Sequence, residues 1–204
     1  LKYTHVAFAD ETSYTGSERF GAISLVTMQR RIGLDFNNEL KKILKDNQTT
    51  DLKWKKIGKD NKYSSATIAF LQKTISYAHS NKIRIDVVMF DFHDSRHTVK
   101  RRDNIANFKR MIHHLLKNTL TSRWPNNLTW GFFPDQNTSV RWDEVHYFLE
   151  LKSILTNSQQ YDILNDNTFK KAYNIILIKE MNSEKCSIVQ LADLFAGLAV
   201  FSRK

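Results

Sequence analysis

Asp10 and Glu11 stand side by side where Tyr3-Thr-His-Val-Ala-Phe-Ala runs into acid. A β-compatible stretch that buries its middle and ends in two carboxylates is a poor recipe for plain core. The pair calls for a cation or a proton. Asp193 is the second unusual acid. It lies inside Ile188-Val-Gln-Leu-Ala-Asp-Leu-Phe-Ala-Gly-Leu-Ala-Val, an almost wholly apolar stretch with helical spacing. An unpaired carboxylate on such a helix costs several kcal/mol or takes up a proton, so Asp193 needs a partner. A metal is one such partner; a neighbouring segment that it caps, or a buried lysine, is another. Asp135 follows Pro134 just past a predicted strand end, where ligands collect on open sheets but where acids also serve ordinary turns. Asp91 ends another strand, and Asp51 precedes a basic cluster. Either joins the site or is merely solvated.

Carboxylates brought together from a first strand, a second strand end and a late helix are what a hard divalent cation requires. Magnesium or manganese takes oxygen ligands, and a few acids plus substrate phosphates suffice. Two such ions can activate water and stabilise the leaving oxygen of a phosphodiester.

The surroundings are basic. The chain of 204 residues carries a formal net charge of +10, which points to a polyanion such as DNA or RNA. Lys53, Lys55 and Lys56 form one candidate backbone-binding run, with Trp54 able to stack on a base; Lys100, Arg101 and Arg102 form another. The plainer reading of each run is a solvated face.

Other chemistries fit poorly. There is no Walker loop, dinucleotide fingerprint or Gly-x-Ser-x-Gly elbow. A single cysteine, Cys186, excludes a disulfide framework and a multi-cysteine zinc site, and suits a cytoplasmic setting. His93, His97, His113 and His114 lie in no zinc-protease motif. No signal peptide or 18-residue apolar run is visible, so no membrane partner is expected.

These residues must be positioned by a single domain over 1–204, by the length prior. Strands are expected over Tyr3–Ala9, Phe20–Met28, Lys82–Asp91, Leu128–Phe133 and Tyr173–Ile178, the last apolar on both faces as a covered strand is. Helices are expected over Arg30–Asp46, from Ser64 to Ser80 with Ser64 or Ser65 as N-cap, from Ile105 to Thr119, over Trp142–Leu155 and over Ser187–Ser202. In the Ser64–Ser80 helix the apolar row is Ile68, Leu71, Ile75 and Ala78. Asn47–Asp60 reads as a loop with a short ordered segment. This order predicts an α/β fold, a mixed sheet with helices on its faces.

Two segments resemble a known family. Asp10-Glu11-Thr12-Ser13 is similar to an Asp-Glu-Ser-Gly signature at the end of a first strand. Ser183 followed by Ile188-Val-Gln-Leu-Ala-Asp-Leu-Phe-Ala-Gly resembles that family's last helix, and Asp51-Leu-Lys53-Trp54 its middle segment. The family is domain-of-unknown-function family 3800, a bacterial and phage group with a ribonuclease H-like fold. The resemblance implies a five-stranded sheet, three antiparallel strands then two parallel. It implies that Asp10 is the first-strand metal ligand and Asp193 the last-helix acid, with Glu11 and Gln190 supporting the site and Asp51 and Ser183 at further motif positions. Asp135 enters by strand order alone. The sequence departs from the pattern at Thr12 and Ser13, where Ser-Gly is usual, and at Asp51, where Glu is frequent. The reading that follows is a divalent-metal-dependent nuclease. The alternatives are a non-catalytic nucleic-acid-binding module and an interaction subunit of a bacterial defence or mobile-element system.

Overall fold

Alternation along the first strand decides the layout. In the computed structural model, which describes residues 3–12, 18–95, 103–125, 127–136, 141–142, 144–145, 147 and 174–203, strand β1 (His5–Thr12) runs antiparallel to β2 (Phe20–Gln29). β2 pairs antiparallel with β3 (Ile83–Asp91). On its other edge β1 pairs parallel with β4 (Thr129–Pro134), and β4 pairs parallel with β5 (Asn174–Ile178). The sheet order β3-β2-β1-β4-β5 puts β1 at the centre. This is the expected mixed five-stranded sheet.

Successive side chains of a strand point to opposite faces. Val6 and Phe8 of β1, with Val26 and Met28 of β2, form one core layer with Phe36, Leu40, Phe70, Ile188, Val189 and Ala192. Those partners come from helices α1 (Arg30–Asp46), α2 (Asn61–His79) and α4 (Ser187–Phe201). Ala7, Ala9, Ile23 and Leu25 face the other way, onto Phe108, Ile112 and Leu116 of helix α3 (Asn104–Ser122) and onto Trp142 and Val145. Full burial of each large side chain contributes about 1.5–3 kcal/mol. Asp10 continues the Val6–Phe8 row and so falls under α4.

Several boundaries differ from the sequence reading for physical reasons. β1 does not stop at Ala9. Pairing with β2 carries it through Asp10, Glu11 and Thr12, while β4 leaves it after Ala9↔Pro134. Helix α2 begins earlier than Ser64, because Asp60 caps it by accepting from the Lys62 N–H at 3.1 Å. Its buried row is Ala66, Phe70 and Thr74, and the apolar row at Ile68 and Ile75 faces out, 57% and 66% exposed. α3 is capped by Asp103, whose side chain accepts from the Ala106 N–H at 2.7 Å. β5 is half-buried along its length. Of the helix read over Trp142–Leu155, Trp142, Glu144, Val145 and Tyr147 are helical, and the remainder lies outside the described residues.

Candidate active site

The fork where β4 parts from β1 is the starting point. The Asp135 N–H donates to the Ala9 carbonyl at 2.8 Å, so Asp135 begins where the parallel ladder ends. The next residue on β1 is Asp10. Two carboxylates are thereby delivered to the C-terminal ends of adjacent parallel strands, where open α/β sheets leave a crevice. A single bridge to Met181 extends the β5 side and leads into Ser183. The Ser183 N–H donates to Asp135 Oδ1 at 3.1 Å.

Helix α4 closes the site from above. Gln190 and Asp193 lie one turn apart on one face. The segment after α1 crosses them in extended conformation; Lys53 has φ −127° and ψ 137°. The Leu52 N–H donates to Gln190 Oε1 at 2.9 Å, and the Trp54 N–H to Asp193 Oδ2 at 2.6 Å. Gln190 Nε2 donates to the Ser183 carbonyl at 2.6 Å. One fully buried amide thus ties the crossing segment to the β5–α4 turn. Gln190→Leu strips partners from a buried N–H and a buried carbonyl. It is expected to cost about 2–4 kcal/mol in urea unfolding; wild-type stability would show that this bridge is dispensable.

Leu52 is buried in the core beneath α4 and the Trp54 ring lies on Gly197 of α4, while Lys53 reaches towards Ser183 and Asp135. Lys53 Nζ donates to Ser183 Oγ at 2.7 Å and stands 3.6 Å from Asp135 Oδ2. Burial, then Glu11, Asp135 and Asp193, push the Asp10 carboxyl well above the usual carboxylate range, while Lys53 pulls it down. Burial also raises Asp193, against the Trp54 N–H bond and Lys53. Asp10, Asp135 and Asp193 are therefore one electrostatic group.

Asp10 is 5% exposed. Its Oδ1 accepts from the Glu11 N–H at 2.8 Å, and its Oδ2 is buried with no hydrogen-bond partner. A hard cation would satisfy that oxygen. The donor set, all carboxylate oxygen, fits magnesium or manganese. Lys53 lies beside Asp135 and acts on Asp10 and Asp193, and among the described residues no three acidic, histidine or cysteine side chains form a ready metal cluster.

The other sequence candidates sort clearly. Asp51 pairs with Lys56 at 2.8 Å, stapling the segment rather than joining Asp10. Trp54 lays its ring on Gly197 and beside Phe201, centroids 5.8 Å apart, so that side of the indole is committed within the fold. Lys55 is exposed near Asp193. Lys100, Arg101 and Arg102 lie outside the described residues. Asp91 pairs with Arg19 at 3.0 Å at the far end of β3. Both ordinary readings of Asp193 also hold in part, since it accepts from the Trp54 backbone and feels a lysine.

Ser24 was not legible in advance. It sits opposite Asp10 in the β1–β2 register, fully buried, its hydroxyl without a partner. Only strand register reveals it, and a serine in an apolar strand gives no signal of its own.

Among solved structures, the chain superposes on RNase HII in the PCNA:RNase HII complex from Archaeoglobus fulgidus. The TM-score is 0.50 at 10% identity, over 95% of this chain and 71% of that one. With the strand order above, this shows an RNase H-like fold. No protein-family model matches the chain. Among described residues no helix is long and apolar enough to cross a membrane. Two proteins of Methanothermobacter thermautotrophicus, the uncharacterized proteins ORF2' and ORF2, are each 33% identical over 205 aligned positions, covering 97% of this chain and 67% of theirs. The chain belongs to the family of these ORF2 proteins.

Proposed function

We propose that the chain is a divalent-metal-dependent nuclease that hydrolyses phosphodiester bonds of DNA or RNA. The observation that carries this reading is Asp10: a buried carboxylate with an unbonded oxygen, grouped with Asp135 and Asp193 at the crevice of an RNase H-like sheet. Asp10, Asp135 and Asp193 would hold magnesium or manganese, with Glu11 as ligand or orienter. The bound ion would supply an activated water and neutralise charge on phosphoryl oxygens. The protein's own part is to fix these oxygens in place. The Ser183 N–H does so directly on Asp135 Oδ1, Gln190 indirectly through its side-chain bonds to the Leu52 N–H and the Ser183 carbonyl, and the lysines hold the nucleic-acid backbone electrostatically. The resemblance to domain-of-unknown-function family 3800 supports the same assignment of Asp10 and Asp193.

The test is incubation with single- and double-stranded DNA and RNA in magnesium or manganese. Metal-dependent cleavage of at least one substrate, lost on adding EDTA, is expected. No cleavage of any of them sinks the proposal.

One observation favours a second reading, a nucleic-acid-binding module without catalysis. Lys53 already partly neutralises the acids, as a retired metal site would require. That reading predicts salt-sensitive binding that needs no metal and survives Asp193→Asn.

A further inference from the structure

We propose that the Lys53 ammonium is a built-in counter-cation, which steadies Asp10, Asp135 and Asp193 while no divalent ion is bound and yields its place when one enters. This rests on the metal-site reading above and adds how the site is kept before loading.

Three features point to it. First, Lys53 Nζ approaches the acids from a quarter-exposed position, bonded to Ser183 Oγ at 2.7 Å and 3.6 Å from Asp135 Oδ2. Among the described residues its hydrogen bond goes to a neutral hydroxyl, while Asp135 Oδ2 stands at ion-pair rather than hydrogen-bond distance. Such an ammonium is attracted to the acids without being locked to them. Second, it acts on both Asp10 and Asp193, where it opposes the effects of burial and mutual repulsion. Asp10 nevertheless keeps a buried oxygen with no bond. Lys53 screens that oxygen from a distance; a hard cation would bind it directly, and so has an advantage Lys53 lacks. Third, the backbone on either side is pinned through the Leu52 and Trp54 N–H groups to α4. The flexible four-carbon stem can therefore swing while the segment and its grip on Asp193 remain. A lysine displaced towards solvent beside the acids would then be placed to meet a phosphate.

The experiment uses the full chain as wild type, Lys53→Met and Lys53→Arg. Melting is followed in EDTA and in manganese, and manganese affinity is measured by titration. Lys53→Met should melt lower than wild type in EDTA and recover when manganese is added. It should bind manganese roughly tenfold tighter, the scale of one opposing unit charge at a partly exposed site. Lys53→Arg, which keeps the charge, should stay near wild type. If Lys53→Met is unfolded in EDTA, refolding on manganese supports the proposal and failure to refold overturns it. Unchanged manganese affinity in a Lys53→Met protein, with wild type binding and cleaving, overturns the counter-cation role and leaves the nuclease reading intact. No manganese binding by any of the three overturns both.

Discussion

Asp10→Asn is expected to melt at a higher temperature than wild type in EDTA and to lose the proposed metal-dependent cleavage by at least about 10²–10³-fold. Both effects have one cause. Asp10 is buried among acids with an oxygen that nothing in the chain satisfies. Asparagine keeps an oxygen for the Glu11 N–H and replaces the unbonded oxygen with a donor that can point at neighbouring acids. The gain is on the order of 1–3 kcal/mol, the usual cost of a buried polar mismatch. The gain depends on pH in a defined direction. The folded chain holds Asp10 above the carboxylate range, so the fold retains a proton that the unfolded chain has already lost. The Asp10 contribution to wild-type stability in EDTA therefore falls as pH rises from the ordinary carboxylate range through the raised Asp10 value, and is level beyond it, while His5, held low by burial, contributes the opposite slope. Asp193, also raised, adds to the same slope. The variant lacks the Asp10 part, so the gap between the two proteins widens with pH. Urea unfolding between about pH 4 and pH 8 measures it. A gap that narrows with pH, or full cleavage by the variant, would contradict the assignment of Asp10.

The second large effect comes from a residue with no chemistry. A Cβ added at Gly197 would lie 2.1 Å from Trp54 Cγ and 2.4 Å from Cδ2. These are the rigid root of an indole, not the free end of a flexible chain, so Trp54 has to move. Gly197→Ala should cost about 1–3 kcal/mol. Moving Trp54 also disturbs the N–H that bonds Asp193 and the lysine next to it. Cleavage should therefore fall further than the folded fraction does. Trp54→Ala in the same chain removes the clash, and the double variant should be more stable than the sum of the single losses predicts. Strict additivity would mean that the contact does not hold the segment down.

The helix carrying Gly197 also shows what a sequence can and cannot disclose. Asp193 was visible because an acid in an apolar helix demands a partner wherever the helix packs. Asp10 was visible for a similar reason, and the alternation of β1 and β2 is local enough to place both strands. Asp135 could be placed only by strand order, and its position became physical through the Ala9 carbonyl. The contact of Trp54 with Gly197 joins a loop to a helix far along the chain, and nothing near either residue announces it. The same holds for Lys53, which reads as a surface base until the crossing over α4 fixes its direction. In α2 local pattern misled: Ile68 and Ile75 form a good stripe, but the wide ring of Phe70 fills the space against the sheet and turns that stripe outward.

The span between Asp10 and Asp193 has a consequence during synthesis. A ribosome makes β1 before α4, and Asp10 lies on the one and Asp193 on the other. Until α4 emerges and docks on the finished sheet, the nascent chain has an acidic strand but no assembled centre. A chain broken off before Ser187 would lack Asp193 and could not gather the set, so the order of manufacture itself withholds the proposed centre until α4 has docked.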